Sequence, residues 1–390
     1  MRITEVRELS VPLVGGPSNA VISFASHDVS LVAVVSDVIR DGKPVVGVGF
    51  NSIGRFAQPG ILRRRLIPRL LSADPGSILD DGGEIDPGRV LLQLMRDEKP
   101  GGHGDRAAAA AAIELACWDL KAKLADEPAY VTIARSVTGA APAHDVEVYA
   151  AGGYYRPGGG AEALTDELQG YLHAGYSFVK IKVGGAGIDD DLRRIDRAVA
   201  AVGDPALVAV DANGRFDRAA ALAFGKAIAG RGLRWYEEPC DPLDYDTTAA
   251  LHDAHDGPIA TGENLFSRRD VENLVRYGGL RRAHDVFQMD AGLSYGLTEY
   301  VSMIETLEAN GFDRRWAYPH GGHLINLHIV TGLGLGGCEA YPGVFAPFGG
   351  YSPQIAVENG RIRPGDDPGF GLETKPDLAA HIEQILGGAA

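Results

Sequence analysis

Apolar and polar positions alternate through the first fifty residues: Ile3, Val6 and Leu9, then 31–35, then 45–49, with turn residues such as Arg40-Asp41-Gly42 between them. Alternation broken by turns predicts a strand meander. Helical spacing takes over at 61–71 and 88–95. A glycine-rich stretch, Lys99-Pro100-Gly101-Gly102-His103-Gly104, predicts a flexible loop. Asp105 is expected to cap an alanine-rich helix to about Ala125, and the run at 107–112 reads as helix propensity alone.

Beyond Gly139-Ala140-Ala141-Pro142-Ala143, which reads as a domain junction, the pattern changes. Short β-rich segments recur at 146–149, 178–182, 208–211, 235–238, 259–261, 286–289, 316–318 and 338–341, with helical patterns such as 190–202 and 218–230 between most of them. Eight strands with intervening helices suit a β/α barrel, and an open doubly wound sheet is the competing arrangement. After residue 350 short alternating pieces resume.

Composition narrows the function. The chain has 390 residues, 45% hydrophobic and 23% charged, as in a soluble globular protein. Lys and Arg total 37 against 52 Asp and Glu, a formal charge of −15, which argues against non-specific nucleic-acid or anionic-membrane binding. An anionic small substrate stays possible, because a few lysines or a metal can set the field inside a cleft. Three cysteines (Cys117, Cys240, Cys338) without CxxC spacing point to neither a disulfide framework nor a thiolate zinc site. The N-terminus is charged from the start and no long apolar run exists, so neither a signal peptide nor a membrane span is expected, and the expected location is cytoplasmic.

In a β/α barrel, catalytic groups sit at the C-terminal ends of strands. Here nearly every predicted strand ends in an ionisable group: Lys180 and Lys182, Asp211, Glu237-Glu238, Glu263, Asp290, His320 with His323, and Glu339 on the last. Ionisable groups near a core are costly unless paired or metal-bound. Asp211, Glu237 and Glu263 come from three consecutive strand ends, and their mutual repulsion would be relieved by a divalent cation. All-oxygen ligation favours Mg2+ over zinc. The alternative is three salt-bridged surface carboxylates. Lys180 and Lys182, two apart on a strand, share a face. Two ammonium groups together make one easier to deprotonate, as a base requires, although an isolated Lys pair is more often solvent-exposed. Asp290 and His320 would form a carboxylate–imidazole pair able to deliver a proton, with His320 preferred to His323 because it lies closer to the strand end.

The KxK, Asp211-Ala212-Asn213, Glu237-Glu238-Pro239, Gly262-Glu263-Asn264, Asp290 and His320 occur in the order found in the enolase superfamily, mandelate racemase branch, which the chain resembles throughout. The helix segment Ile113-Glu114-Leu115-Ala116-Cys117-Trp118-Asp119-Leu120-Lys121 resembles that family's N-terminal signature. More narrowly, Glu98-Lys99-Pro100-Gly101-Gly102-His103-Gly104, Ala150-Ala151-Gly152-Gly153-Tyr154-Tyr155 and Pro319-His320-Gly321-Gly322-His323 resemble the D-tartrate dehydratases. The resemblance implies an α/β fold: a modified TIM-type (β/α)7β barrel at 141–350, an N-terminal α+β capping domain with lid loops at 1–140, and a C-terminal segment, 351–390, returning to that domain.

It also implies a mechanism. Mg2+ on Asp211, Glu237 and Glu263 would bind a substrate carboxylate. Lys182 would take the α-proton, Lys180 and Glu339 would help to neutralise the enediolate, and His320, supported by Asp290, would protonate the departing β-hydroxyl, giving oxaloacetate. Lys99, Asn19, Asn51, Tyr154 and Asn213 are the implied substrate contacts, and a homo-oligomer is the implied assembly. One position departs: Ile53, in Asn51-Ser52-Ile53-Gly54-Arg55, stands where the tartrate enzymes' pattern has Asn. That change removes a polar group and favours a different hydroxy acid if the side chain touches substrate. A racemase or epimerase using the same Lys/His pair, and a non-catalytic small-molecule binding protein, are the alternatives. The glycine run at 332–337 reads as packing, not as a dinucleotide loop, because it lacks the strand–loop–helix order.

Overall fold

A computed structural model describes residues 1–155 and 161–387. Strands β1 (Ile3–Pro12), β2 (Asp28–Arg40) and β3 (Lys43–Phe50) form an antiparallel meander in chain order, as the alternation predicts. The helix Asp105–Ala125 packs on it, and here the propensity-only reading of the alanines fails: all six at 107–112 are fully buried. Where the helix crosses β3 the backbones come close: a Cβ at Gly49 would stand 2.8 Å from the Ala112 carbonyl oxygen, and one at Gly47 2.0 Å from that of Ala116. The helix start also differs, since Gly104 (φ 82°) occupies the cap and Asp105 opens the first turn, near the positive end of the helix dipole.

This helix ties the two halves of the molecule together. The buried Glu114 accepts hydrogen bonds from the backbone N–H groups of Leu297 (2.8 Å) and Thr298 (3.0 Å), at the start of the barrel helix Leu297–Ala309. The buried Asp119 accepts from Val48 N (2.8 Å) on β3 and from Phe370 N (2.6 Å) near the C-terminus. Losing either carboxylate would strand buried N–H groups, at about 1–3 kcal/mol each.

Strands β4 (Val146–Gly152), β5 (Val179–Lys182), β6 (Val208–Asp211), β7 (Tyr236–Glu237), β8 (Ile259–Thr261) and β9 (Val286–Phe287) pair in parallel, each with the next. β10 (Gly337–Ala340) pairs in parallel with β4 and closes the ring, so the open-sheet alternative is excluded. The segment expected as a strand at 316–318 is reduced to one bridge, Phe287 with Ala317. A 3-10 turn, Arg314–Trp316, takes up its first residue, while Tyr318 N still donates to Phe287 O (2.8 Å) and Gly336 N to Ala317 O (3.1 Å). Helices alternate with the strands around the outside, as a TIM-type barrel requires.

After residue 350 the chain serves both halves. A hairpin, β11 (Val357–Glu358) and β12 (Arg361–Ile362), lies antiparallel on β4, and the final helix Pro376–Ile385 reaches the N-terminal sheet, where Arg7 Nη1 donates to Ile385 O (3.0 Å). No helix among the described residues is long and apolar enough to cross a membrane.

Candidate active site

Strand parity places the chemistry. Lys180 and Lys182 share the interior face of β5, and the register sets Lys182 opposite Asp211 and Asp211 opposite Glu237. All four are buried. Lys180 Nζ donates to Glu237 Oε1 (2.5 Å) and lies 2.8 Å from Glu339 Oε1, while Lys182 Nζ donates to Asp211 Oδ2. Each ammonium also stands over an aromatic ring, Lys180 over Tyr149 (5.5 Å) and Lys182 over Tyr154 (5.4 Å). Glu237 Oε2 accepts from Trp235 Nε1 (2.9 Å) and Gln288 Nε2 (2.7 Å).

The lysines do not lower one another as the sequence suggests. Burial, the largest single effect, and the repulsion from Lys180 lower Lys182, but Asp211 together with Tyr154 and Glu237 outweighs them and holds Lys182 above its ordinary value. The shortage is of positive charge. Asp211, Glu237, Glu238, Glu263 and Glu339 set five carboxylates against these two ammonium groups. Burial, and then the charge of Asp211, push Glu237 up to about 8. Burial, and then Glu263, push Glu238 well above the carboxylate range. Among the described residues no three metal-ligating side chains close on one cation-sized point, because the ammonium groups occupy Asp211 and Glu237. The excess of hard oxygen donors nevertheless fits a divalent cation.

On the far side of the barrel, Asp290 Oδ2 lies 3.0 Å from His320 Nδ1. Asp290 Oδ1 is held by Gly292 N (2.7 Å) and Asn326 Nδ2 (3.3 Å). Burial lowers His320, but Glu263, Asp290 and Glu339 together raise it to about 9, so it is an imidazolium at neutral pH. Its Nε2 lies 2.9 Å from the Tyr341 hydroxyl. His323 is different. It caps the helix Leu324–Leu333 with Nδ1, which accepts from Asn326 N, and its Nε2 lies 3.0 Å from Ser52 Oγ. Gly321 lets these groups converge, since a Cβ there would meet Ser52 Oγ at 2.7 Å and Asp290 Oδ2 at 2.8 Å.

Lys182, Glu263, Asn213, Tyr154 and His320 line one cavity of about 150 Å³, roofed by residues of the N-terminal domain. Over this half of the chain, residues 163–378 match the enolase C-terminal domain-like family. The chain belongs to the enolase/mandelate racemase superfamily. Among the superfamily's curated members, the L-talarate/galactarate dehydratase of Salmonella typhimurium is 28% identical over 370 residues, covering 93% of this chain and 86% of that one. An arabinonate dehydratase of Saccharolobus solfataricus is 27% identical over 280 residues, covering 70% and 71%. The solved L-talarate dehydratase of Polaromonas sp. JS666, complexed with Mg and L-glucarate, superposes with a TM-score of 0.76 at 25% identity, covering 97% of this chain and 96% of that one.

The structure brings together at one superfamily-type barrel mouth Lys180, Lys182, Asp211, Glu237, Glu263, Asp290, His320 and Glu339, with Asn19, Tyr154 and Asn213 also on the cavity wall. Two expected contacts lie elsewhere. Asn51 is fully buried away from the cavity lining, its Oδ1 accepting from Ser30 N (2.7 Å). Lys99 is exposed, outside the lining, on a loop pinned by the Arg106 bond to its carbonyl (2.9 Å) and by Glu98, which bridges Arg65, Arg69 and Arg106. Ile53, the departure in the motif, does line the cavity. Tyr341, Ser52 and Arg55 were missed by the sequence reading. Tyr341 could have been found by parity, being two residues beyond Glu339 at a strand end.

Proposed function

We propose that this protein is a Mg2+-dependent hydro-lyase that removes the α-proton and the β-hydroxyl from a D-tartrate-like hydroxy dicarboxylate, giving oxaloacetate or a similar 2-keto acid. The observation that carries the reading is the placement of a lysine and a carboxylate-backed imidazolium on well-separated strands but on one small cavity. Dehydration of a hydroxy acid needs those two groups: a base for the α-proton and an acid for the leaving oxygen.

Asp211, Glu237 and Glu263 would hold the metal. Bound there, Mg2+ would supply the positive charge that Asp211 otherwise draws from Lys182, and would stabilise charge developing on the substrate carboxylate. The protein's own groups do the rest. Lys182, once Asp211 no longer holds its proton and it is a neutral amine, accepts the α-proton at Nζ. Lys180, held between Glu237 and Glu339, stays cationic beneath the site. His320 gives its Nε2 proton to the β-hydroxyl, which leaves as water, and Asp290 keeps the ring oriented. The enol formed then tautomerises to the keto acid. The dehydratase relatives support the reaction class, and the small cavity supports a short substrate.

The test is Mg2+-dependent formation of a 2-keto acid, detected with a carbonyl reagent, across a panel of acid sugars that includes D-tartrate, galactarate and arabinonate. D-tartrate or another short hydroxy diacid should lead, the latter if Ile53 on the cavity wall costs D-tartrate a polar contact, and a chelator should abolish turnover until Mg2+ is restored. Preferred turnover of a longer acid would move the substrate but keep the chemistry. Retained hydroxy acid carrying solvent deuterium would mean racemisation, and binding without turnover of any acid would mean a non-catalytic protein.

A further inference from the structure

Among the described residues, Arg55 is the one arginine on the cavity wall, and its surroundings are unlike those of a salt-bridged side chain. Its guanidinium lies over the Phe266 ring, 5.0 Å from the centroid. Nη1 donates to Gly54 O (2.7 Å) and Nη2 to Asn264 Oδ1 (2.7 Å), and no carboxylate lies within 4 Å of it among the described residues. Two of the five guanidinium donors therefore have protein partners, and the rest are open. Asn264 is itself locked: its Nδ2 donates to both oxygens of Glu238 (3.0 and 2.9 Å) and to Glu263 (3.2 Å), which forces Oδ1 toward Arg55. The fork is thus held in place without being neutralised, as a preorganised anion site requires.

The other cationic groups on the cavity wall among the described residues, Lys182 and His320, already have roles in proton transfer, and Lys99 does not reach it. Asn19 sits on the same wall with its Oδ1 engaged by Val21 N and Ile22 N (2.8 Å each), leaving its amide N–H groups to offer. On the roof side of the cavity the neighbours of Arg55 and Asn19 are the apolar Val21, Ile22, Phe24 and Ile53, so among the described roof residues Arg55 supplies the positive charge. A cavity of about 150 Å³ is comparable to one that holds a single benzene ring, which limits the distance between the reacting carboxylate and a second charged group.

We infer that Arg55, oriented by Asn264 and Phe266, binds the distal carboxylate of a short hydroxy diacid and is the residue that selects a dicarboxylate over a sugar monoacid. The inference rests on the dehydratase reading for the role of Lys182 and His320, but not for the anion site itself. A monoacid with a distal hydroxymethyl group would leave the guanidinium donors unpaired in a closed site, which is how a polar pocket rejects an analogue.

The experiment compares D-tartrate with D-threonate, the same skeleton with one carboxylate replaced by hydroxymethyl, on wild type, Arg55→Met, Arg55→Lys and Lys99→Met, all with Mg2+. Arg55→Met should raise KM for D-tartrate by about 100-fold with kcat changed far less, and leave kcat/KM for D-threonate level or improved. Arg55→Lys, which keeps the charge but not the fork, should fall between, and Lys99→Met should behave as wild type. A KM effect in Lys99→Met with none in Arg55→Met overturns the inference while leaving the dehydratase reading intact. If wild type turns over no acid, the dehydratase reading fails, and calorimetry with D-tartrate and D-threonate on wild type and Arg55→Met decides: tighter D-tartrate binding lost in Arg55→Met supports the anion site, and equal binding in both proteins overturns it. Preference for D-tartrate over D-threonate, lost when Arg55→Met is added, supports the diacid site, and no preference overturns it.

Discussion

At the barrel rim, Lys180 is wedged between Glu237 and Glu339, Lys182 is joined to Asp211, and Asp290 carries three hydrogen-bond donors. In the roof, Asn51 bonds only its own domain's backbone, Lys99 faces solvent, and Arg55 has donors to spare. The rim is a closed electrostatic network in which each group fixes its neighbour's protonation. The roof is a set of loops in which one side chain in several faces inward. The rim fits a role in the chemistry common to many substrates, and the roof fits the choice among them.

The largest predicted effect lies at the rim. Lys182→Ala and His320→Asn should each lower kcat by about 1000-fold or more. They should separate in a second measurement, exchange of the substrate α-proton with solvent deuterium followed by NMR. Lys182→Ala should stop exchange as well as dehydration, whereas His320→Asn should stop dehydration and leave exchange running. Exchange persisting in Lys182→Ala would assign the base elsewhere and break the division of labour argued for the rim.

This contrast also explains what was legible in the sequence. A strand has period two and a barrel presents its strand ends to one rim, so spacing alone placed Lys180 with Lys182 and aligned Asp211, Glu237 and Glu263. No such rule governs a loop. Asn51 and Arg55 are four residues apart in one turn, yet Asn51 points inward to satisfy Ser30 N while Arg55 reaches the cavity, a difference set by tertiary packing. The apolar residues at 316–318 likewise suggest a strand, but the segment keeps only a single bridge and isolated backbone bonds to its neighbours, although Ala317 and Tyr318 are buried. The burial of the alanine run has no local signal, because Gly49, which packs against the Ala112 carbonyl at its end, is about sixty residues away in sequence.

A second prediction concerns the seam between the two regions, where His323 meets Ser52 of the N-terminal domain. Burial lowers His323 to about 4 and His328 to about 3, so both stay neutral in the folded protein through mild acid. The unfolded chain takes up those protons near 6.5. Stability from these groups is therefore complete above pH 6.5 and is lost as pH falls toward 4, by about 2 kcal/mol from each histidine at pH 5. Urea denaturation at pH 7.5 and pH 5 measures the loss, and His328→Gln should remove about half of it. An unchanged slope in that variant would show that the acid sensitivity originates elsewhere, for instance in the rim carboxylates.

The smallest effect tests the roof directly. Asn51 Oδ1 accepts from Ser30 N, and its Nδ2 donates to the carbonyls of Ser52 and Arg55, both at 3.3 Å. Asn51→Ala strands a buried N–H and frees two carbonyls, so it should cost about 1–3 kcal/mol of stability, read as a lower urea midpoint. Because the side chain has no route into the cavity, any rise in KM should stay far below that of Arg55→Met and should come from loosening of the turn that carries Arg55. A second substitution, Asn51→Asp, keeps an acceptor for Ser30 N and removes only the amide donors to the Ser52 and Arg55 carbonyls. If both variants lose stability and keep most of their substrate affinity, Asn51 belongs to the scaffold. If Asn51→Ala alone loses affinity while its stability holds, the side chain turns inward when substrate binds, and the roof has a second reader beside Arg55.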